Sequence, residues 1–399
     1  MKTIRRLTIL TAAILLLAAF TGGSTAEVTE EKKETGGRVT SAVWKDEDGN
    51  PAAGPDGYAE IRYTYGPSSV KEEYFDTEGA PFQAPGGYYG RNVTRDGKNR
   101  IKSIEYLGRS GELTLNGMGY AMVGYTYVSF GEVRKVVFYG TNRKAIMVPS
   151  LGYAQMENEY SGATLTKRTY MNAAGKPVDI PAGYAVMKFK MKDHKITRIW
   201  YVHADGKPAT GPDGWYKCEK VWDTKGRISV IRFLDTEEKL TDRGGYARET
   251  YSYSSGMVTV TRYNAQDDII PIGGEAVSVR RRMSDGQILE ETYLNAAGQP
   301  AVLPGGYTTV SYTYNKAGQL EMVQYRDGNG VKLVSKEGYS AIRQTWNNDL
   351  LQRRTYLDEN GLNVNNLNGV CEEEYLYDEE GRMTEVRKYD ASGNVLITR

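Results

Sequence analysis

The chain has 399 residues, with 51 Lys plus Arg against 50 Asp plus Glu, 45 Gly, 13 Pro, and 31 Tyr against 7 Phe. Its 2 Cys and 2 His exclude a disulfide scaffold and a Cys-rich zinc site, and leave little material for metal or nucleophile–base chemistry. A formal net charge of +1 gives no overall electrostatic drive toward nucleic acid or an anionic membrane.

At the N-terminus, Lys2, Arg5 and Arg6 precede an apolar run from Leu10 to Phe20, followed by the small residues Ser24-Thr25-Ala26. Residues 1–26 therefore read as a secretory signal peptide. The run of about 11 residues is too short to span a bilayer. The expectation is a secreted or cell-surface bacterial protein with no membrane insertion once the signal is cleaved. Cleavage after Ala26 leaves 48 basic and 50 acidic residues. Residues 27–40, beginning EVTEEKKETGG, are charged without apolar periodicity and read as a flexible leader.

From residue 41 to 399 one repeat dominates. Gly followed by an aromatic recurs with anchors at Tyr58, Tyr88, Tyr120, Tyr153, Tyr184, Trp215, Tyr246, Tyr307 and Tyr339. Degenerate copies fall at Glu275 and Val370, and successive gaps run from 29 to 33 residues. After each anchor the residues alternate. Ala185, Met187, Phe189 and Met191 share one face against Lys188, Lys190 and Lys192, the pattern of a half-buried antiparallel strand. A Gly-bearing turn follows, such as Asn315-Lys316-Ala317-Gly318, and then a second strand ending in an aromatic such as Tyr74, Tyr106, Tyr170, Tyr201, Phe233, Tyr263, Tyr325 or Tyr389. Apolar parity changes within that second strand, at Leu320 and then Val323 and Tyr325, which predicts a β-bulge. A Gly-x-Pro loop closes the unit, as in Gly206-Lys207-Pro208 before Pro212-Asp213-Gly214-Trp215. The fold class is thus all-β: tandem hairpin repeats of about 31 residues, 11 or 12 units, forming an elongated twisted antiparallel array, with a closed shell or barrel and a propeller as alternatives.

The last unit contains Glu374-Tyr375-Leu376-Tyr377-Asp378-Glu379-Glu380-Gly381-Arg382-Met383. It resembles the tyrosine–aspartate repeat of RHS-type bacterial proteins, with Ser311 to Asp327 a looser copy. The resemblance implies a structural, encapsulating or spacer role. A weaker similarity, carried by Ala204 to Tyr216, is to the aromatic–Gly repeats of glucan- and choline-binding surface proteins, and implies a glycan ligand.

No unit stands out as a reaction centre, and the expectation is a non-catalytic protein without cofactor. His194 and His203 are more economically read as turn residues than as a metal pair. Acidic turns such as Asp46-Glu47-Asp48-Gly49-Asn50 and Asp358-Glu359-Asn360-Gly361 lack the EF-hand pattern and read as turns. Cys218 and Cys371 read as buried free thiols. The aromatics are either the core or a binding ladder. On the second reading an extended aromatic-rich sheet meets a glycan, a cell-wall polymer or a surface protein, not nucleic acid. Trp200, Trp215 and Tyr216 are the candidate exposed cluster.

Overall fold

The computed structural model describes residues 28–378 and 380–398, so the expected signal peptide lies outside the described residues. Among the described residues there are 25 strands and no helix. The chain divides into two compact units: one runs up to Met187 and takes in His203–Lys207, and the other comprises Lys188–Val202 and everything from Pro208 on.

In the first unit the strands are β1 (Thr29–Thr35), β2 (Arg38–Lys45), β3 (Glu60–Tyr65), β4 (Ser69–Phe75), β5 (Gly90–Arg95), β6 (Ile101–Leu107), β7 (Met122–Tyr127), β8 (Val133–Tyr139), β9 (Gln155–Ser161) and β10 (Thr164–Met171). Strand β11 (Val186–Lys192) begins in the first unit and ends in the second. The second unit continues with β12 (Lys195–Val202), β13 (Lys217–Trp222), β14 (Ile228–Leu234), β15 (Arg248–Ser254), β16 (Met257–Tyr263), β17 (Ser278–Ser284) and β18 (Gln287–Leu294). It closes with β19 (Thr309–Tyr314), β20 (Leu320–Arg326), β21 (Ala341–Asn347), β22 (Leu350–Leu357), β23 (Glu372–Tyr377), β24 (Met383–Tyr389) and β25 (Val395–Thr398). Within each unit every interior strand pairs antiparallel with its sequence neighbours, as β13 does with β12 and β14. This is the array of hairpins that the repeat predicts.

The flexible leader expected over 27–40 is corrected. Thr29–Thr35 forms β1, paired with β2 from Thr29 opposite Lys45 to Thr35 opposite Arg38. Gly36 and Gly37, at φ 59° and 74°, make the tight turn between them. Every residue of β1 is exposed, which is why no apolar period betrays it. Its charges also blunt a free sheet edge.

Many of the turns, within hairpins and in the loops that follow them, owe their shape to one side chain. Asp358 Oδ1 accepts the backbone N–H of Asn360 at 2.9 Å and of Leu362 at 2.8 Å, and Gly361 takes the positive φ of 85°. Asp46, Asp76, Asn172, Asp223, Asn295, Asn315 and Asp390 do the same in their own turns. The acidic turns are thus backbone acceptors, as expected from turn chemistry.

The predicted bulge is present. In the β13–β14 pair Val221 faces Val230 but Trp222 faces Ile228, which leaves Ser229 as the extra residue. The same shift occurs in β5–β6, β7–β8, β19–β20 and β21–β22. Two hairpins, β3–β4 and β15–β16, keep unbroken register.

The anchor rings and the rings of the second strands stack alternately in each unit. In the first, Trp44 meets Tyr58 at 5.1 Å between centroids, Tyr58 meets Tyr74 at 4.8 Å, and the series runs through Tyr88, Tyr106, Tyr120, Phe138, Tyr153 and Tyr170 to Tyr184. In the second, Tyr201, Trp215, Phe233 and Tyr246 form one run, and Tyr293, Tyr307, Tyr325, Tyr339 and Tyr356 another. Each edge-on or tilted pair contributes about 0.5–1.5 kcal/mol beyond its area burial. This ladder is the core. Gly54 is required beside it, because a Cβ there would lie 2.7 Å from the Trp44 ring.

The ladder breaks between Tyr246 and Tyr293, and the register corrects two sequence readings there. The degenerate anchor is Ala276 rather than Glu275, since Ile272 N–H donates to Ala276 O just as Gly54 N–H donates to Tyr58 O. Opposite anchor+3 Glu249 stands Arg262 rather than Tyr263, which turns to the other face. Tyr389 is likewise displaced from the ladder by Lys388, which faces Glu373.

Candidate binding surface

Three positions of the repeat carry polar chemistry on the ladder face. The first lies seven residues past the anchor. Tyr65 OH donates to Val39 O at 2.8 Å, Tyr127 to Ile101 O at 2.6 Å, Tyr160 to Val133 O at 2.9 Å, Tyr253 to Ile228 O at 2.8 Å, Tyr314 to Ile288 O at 2.9 Å and Tyr377 to Leu351 O at 2.8 Å. At two units the donor is an indole: Trp222 Nε1–H to Ile196 O at 3.0 Å and Trp346 Nε1–H to Leu320 O at 2.7 Å. Most of these acceptors sit at the bulge of the preceding hairpin, where the ladder loses a hydrogen bond. The units following the two unbulged hairpins have Arg95 and Met283 at this position instead.

The second position lies five past the anchor and meets an ion pair whose carboxylate is largely buried. Arg91 Nε donates to Glu72 Oε2 at 2.5 Å. Arg281 Nε donates to Glu291 Oε1 at 2.7 Å, and the Tyr312 phenol donates to Glu291 Oε2 at 2.9 Å. Glu249, 6% exposed, accepts from Arg262 Nε at 3.0 Å and from the Tyr251 phenol. These carboxylates are spent within the sheet. Burial pushes phenols of this face up: Tyr125, five past an anchor, and Tyr153 of the ladder to about 12, and Tyr74, Tyr106 and Tyr325 of the ladder further.

The third position is the ladder break, where Arg262 lies over the Tyr246 ring at 4.6 Å and Ala276 is fully buried. The loop collapses into the missing ring's space: a Cβ at Gly274 would stand 2.7 Å from Val302 O. The break is filled, not open.

The three residues expected to form one exposed aromatic cluster do not. Trp215, 5% exposed, is a rung of the ladder, its ring 5.0 Å from Tyr201. Trp200 adjoins Tyr201 in β12, faces the opposite side and lies across from Lys217. Tyr216 is half-buried, with Lys217 Nζ 5.5 Å from its ring centroid. The nine aromatic anchors from Tyr58 to Tyr339 are core, not display. His194 is an exposed turn residue at φ 61°, and His203 Nδ1 lies 2.7 Å from Asp179 Oδ2, both exposed. Among the described residues no three His, Cys, Asp or Glu stand together as a metal-ligating group. Cys218 and Cys371 are free and buried, and burial pushes the Cys218 thiol up to about 11.

Sequence reasoning missed the outward face of the second unit. Cross-strand register places Ser252, Thr259, Arg280, Thr292, Thr309 and Arg326 in one row across β15–β20, with Thr292 and Thr309 buried between the two arginines. A second row runs Thr313, Met322, Arg343 and the buried Thr355. The alternation was visible in each strand, but only the register between strands aligns the cations.

No family model matches the chain, and no curated protein matches it. It is similar to the crystal structure of TcdB2-TccC3-Cdc42 (10% identity over 91% of this chain, TM-score 0.25) and to that of TcdB2-TccC3-TEV (12% over 92%, TM-score 0.26). It is also similar to the Photorhabdus luminescens Tc holotoxin pore (10% over 91%, TM-score 0.21). The chain spans only 27%, 22% and 21% of those three chains. Scores of this size carry no argument about what the chain does.

Proposed function

We propose that the chain is a non-catalytic repeat scaffold, exported to the cell surface or beyond, that holds an extended polar face in place. The observation that carries this reading is the fate of the rings. The aromatics that a binding ladder needs are consumed in packing hairpin against hairpin, and the carboxylates nearby are consumed in ion pairs with Arg91, Arg281 and Arg262. Repeat proteins of this kind derive stability from each unit and its neighbours, so no single unit is indispensable to the fold.

The resemblance to the tyrosine–aspartate repeat supports a structural role, because each residue of that signature has a structural use here. Tyr377 caps Leu351 O, Asp378 accepts the Glu380 and Arg382 backbone N–H groups, Gly381 takes φ 76°, and Arg382 Nε donates to Asp378 Oδ2 at 2.8 Å. Export rests on the signal-like residues 1–26. The test is excision of one whole repeat, residues 308–339. A scaffold of redundant units keeps its β circular-dichroism signal and melts within a few degrees of the parent; a chain that no longer folds contradicts the reading.

A further inference from the structure

We propose that the outward face over β15–β22 is a docking surface for an acidic polysaccharide that bears a carboxylate on successive sugars. This goes beyond the scaffold reading, which stands or falls on repeat excision.

The face carries Arg248, Arg280, Arg282, Arg326, Arg343 and Arg353; the register sets Glu290 opposite Arg282, and the exposed Glu321 stands at the β19–β20 bulge beside Met322. Some of these cations are engaged. Arg248 Nε donates to Asp267 at 2.5 Å, Arg326 Nη1 to Gly330 O at 2.8 Å, and Arg353 to Glu372 and Glu374 at 3.0 and 2.7 Å. Arg282 stands 3.6 Å from Glu290. Arg280 and Arg343 have no carboxylate partner among the described residues. The corresponding face of the first unit differs: there Arg62 pairs with Glu60 at 2.7 Å and Lys71 with Glu73 at 2.6 Å. What sets this face apart is that Arg280 and Arg343 stand without such a partner among the described residues.

The chemistry selects the occupant. All six cations are arginines, whose planar fork donates two parallel hydrogen bonds to a carboxylate. Arg280 and Arg326 share a row three strands apart, about 14 Å at ordinary strand spacing. Ser252, Thr259, Ser311 and Thr313 lie among them with hydroxyls suited to sugar hydroxyls. Single-stranded nucleic acid needs exposed rings on which bases stack. The ring on this face, Tyr263, is half-buried with the Arg248 guanidinium 3.5 Å above it. An anionic membrane rewards an inserted apolar surface, and the methionines here, Met257 and Met322, are half-buried.

The test measures binding of the full-length chain to polygalacturonate, with dextran, oligothymidylate and phosphatidylglycerol vesicles as competitors of other classes. The chain should bind polygalacturonate in preference to all three. Arg280→Ser with Arg343→Ser should weaken it by about tenfold and flatten its salt dependence, while Lys71→Ser leaves it unchanged. Arg280→Lys with Arg343→Lys, which keeps the charge and the fold but not the fork, should fall between the parent and the serine pair. The proposal is overturned if the parent does not bind polygalacturonate, if the serine pair binds as the parent does, if Lys71→Ser weakens binding equally, or if the lysine pair is no weaker than the parent. It is overturned in favour of nucleic acid or membrane if oligothymidylate or the vesicles bind as tightly.

Discussion

The Tyr314 phenol donates to the Ile288 carbonyl at 2.9 Å, and Ile288 lies where the β17–β18 register slips between Arg282 and Met283. The bulge removes a ladder hydrogen bond from one hairpin, and the ring of the next hairpin restores it. This gives six of the 31 tyrosines a use that Phe could not serve: the bulge carbonyl takes its donor from a phenol, or from the indole of Trp222 or Trp346. Tyr314→Phe should therefore destabilise the chain by about 1–3 kcal/mol, the cost of a carbonyl left without its partner. Tyr314→Trp should restore most of it. Tyr307→Phe, at a ladder ring with stacking contacts and no phenol hydrogen bond, should change stability by less than about 0.5 kcal/mol. Urea unfolding midpoints of the three variants check this.

Removing a rung should cost more. Tyr325 packs between Tyr307 at 4.5 Å and Tyr339 at 5.8 Å. Tyr325→Ala leaves a ring-sized cavity between two hairpins, with a loss of about 3–5 kcal/mol expected by analogy with other aromatic truncations. Native-state hydrogen exchange should show the loss concentrated in β18–β22, because a repeat contacts chiefly its neighbours.

Restoring the repeat pattern at its break should harm the protein. Ala276 is fully buried, and the Gly273-Gly274 loop has closed onto Val302 and Pro304. Ala276→Tyr agrees with the other anchors but overfills the site, with about 1–3 kcal/mol lost. A rise in melting temperature would contradict this packing.

Gly211 carries a similar constraint. A Cβ there would run into the Tyr201 ring, and the Gly211 N–H donates to Trp215 O at 2.9 Å. Gly211→Ala should lower stability by about 1–3 kcal/mol, since the ring or the loop must move. Gly206→Ala tests conformation alone: nothing lies near its Cβ, but φ is 89°. That change should cost about 1 kcal/mol.

The sequence carried the fold because its signals repeat. Anchor spacing, alternation, Gly turns and the parity change at Leu320 and Val323 each recur, and the structure realises them as hairpins with a bulge. What it did not carry were features without period or features set between strands. The residues of β1 alternate only Thr, Glu and Lys, so a paired edge strand looked like a leader. Arg262 and Lys388 took ladder positions beside Tyr263 and Tyr389 because a one-residue shift reverses a side chain's face. Trp215 looked like a binding residue because composition does not say which side of a sheet is dry. The arginine rows emerge only when separate strands are aligned.

Tyrosine ionisation tests the central claim, that the rings are the core, most directly. Burial raises the phenols of the ladder residues Tyr74, Tyr106, Tyr153 and Tyr325 above their ordinary value, Tyr153 to about 12. A raised phenol holds its proton longer in the folded chain than in the unfolded one, so its contribution to stability is complete below pH 10 and is lost as pH rises through 12. Spectrophotometric titration should show a large share of the phenolate absorbance withheld until well above pH 10 and released together with loss of the β signal. If the phenolate absorbance of all 31 tyrosines appears near pH 10 while the chain stays folded, the rings are not the core and the account fails.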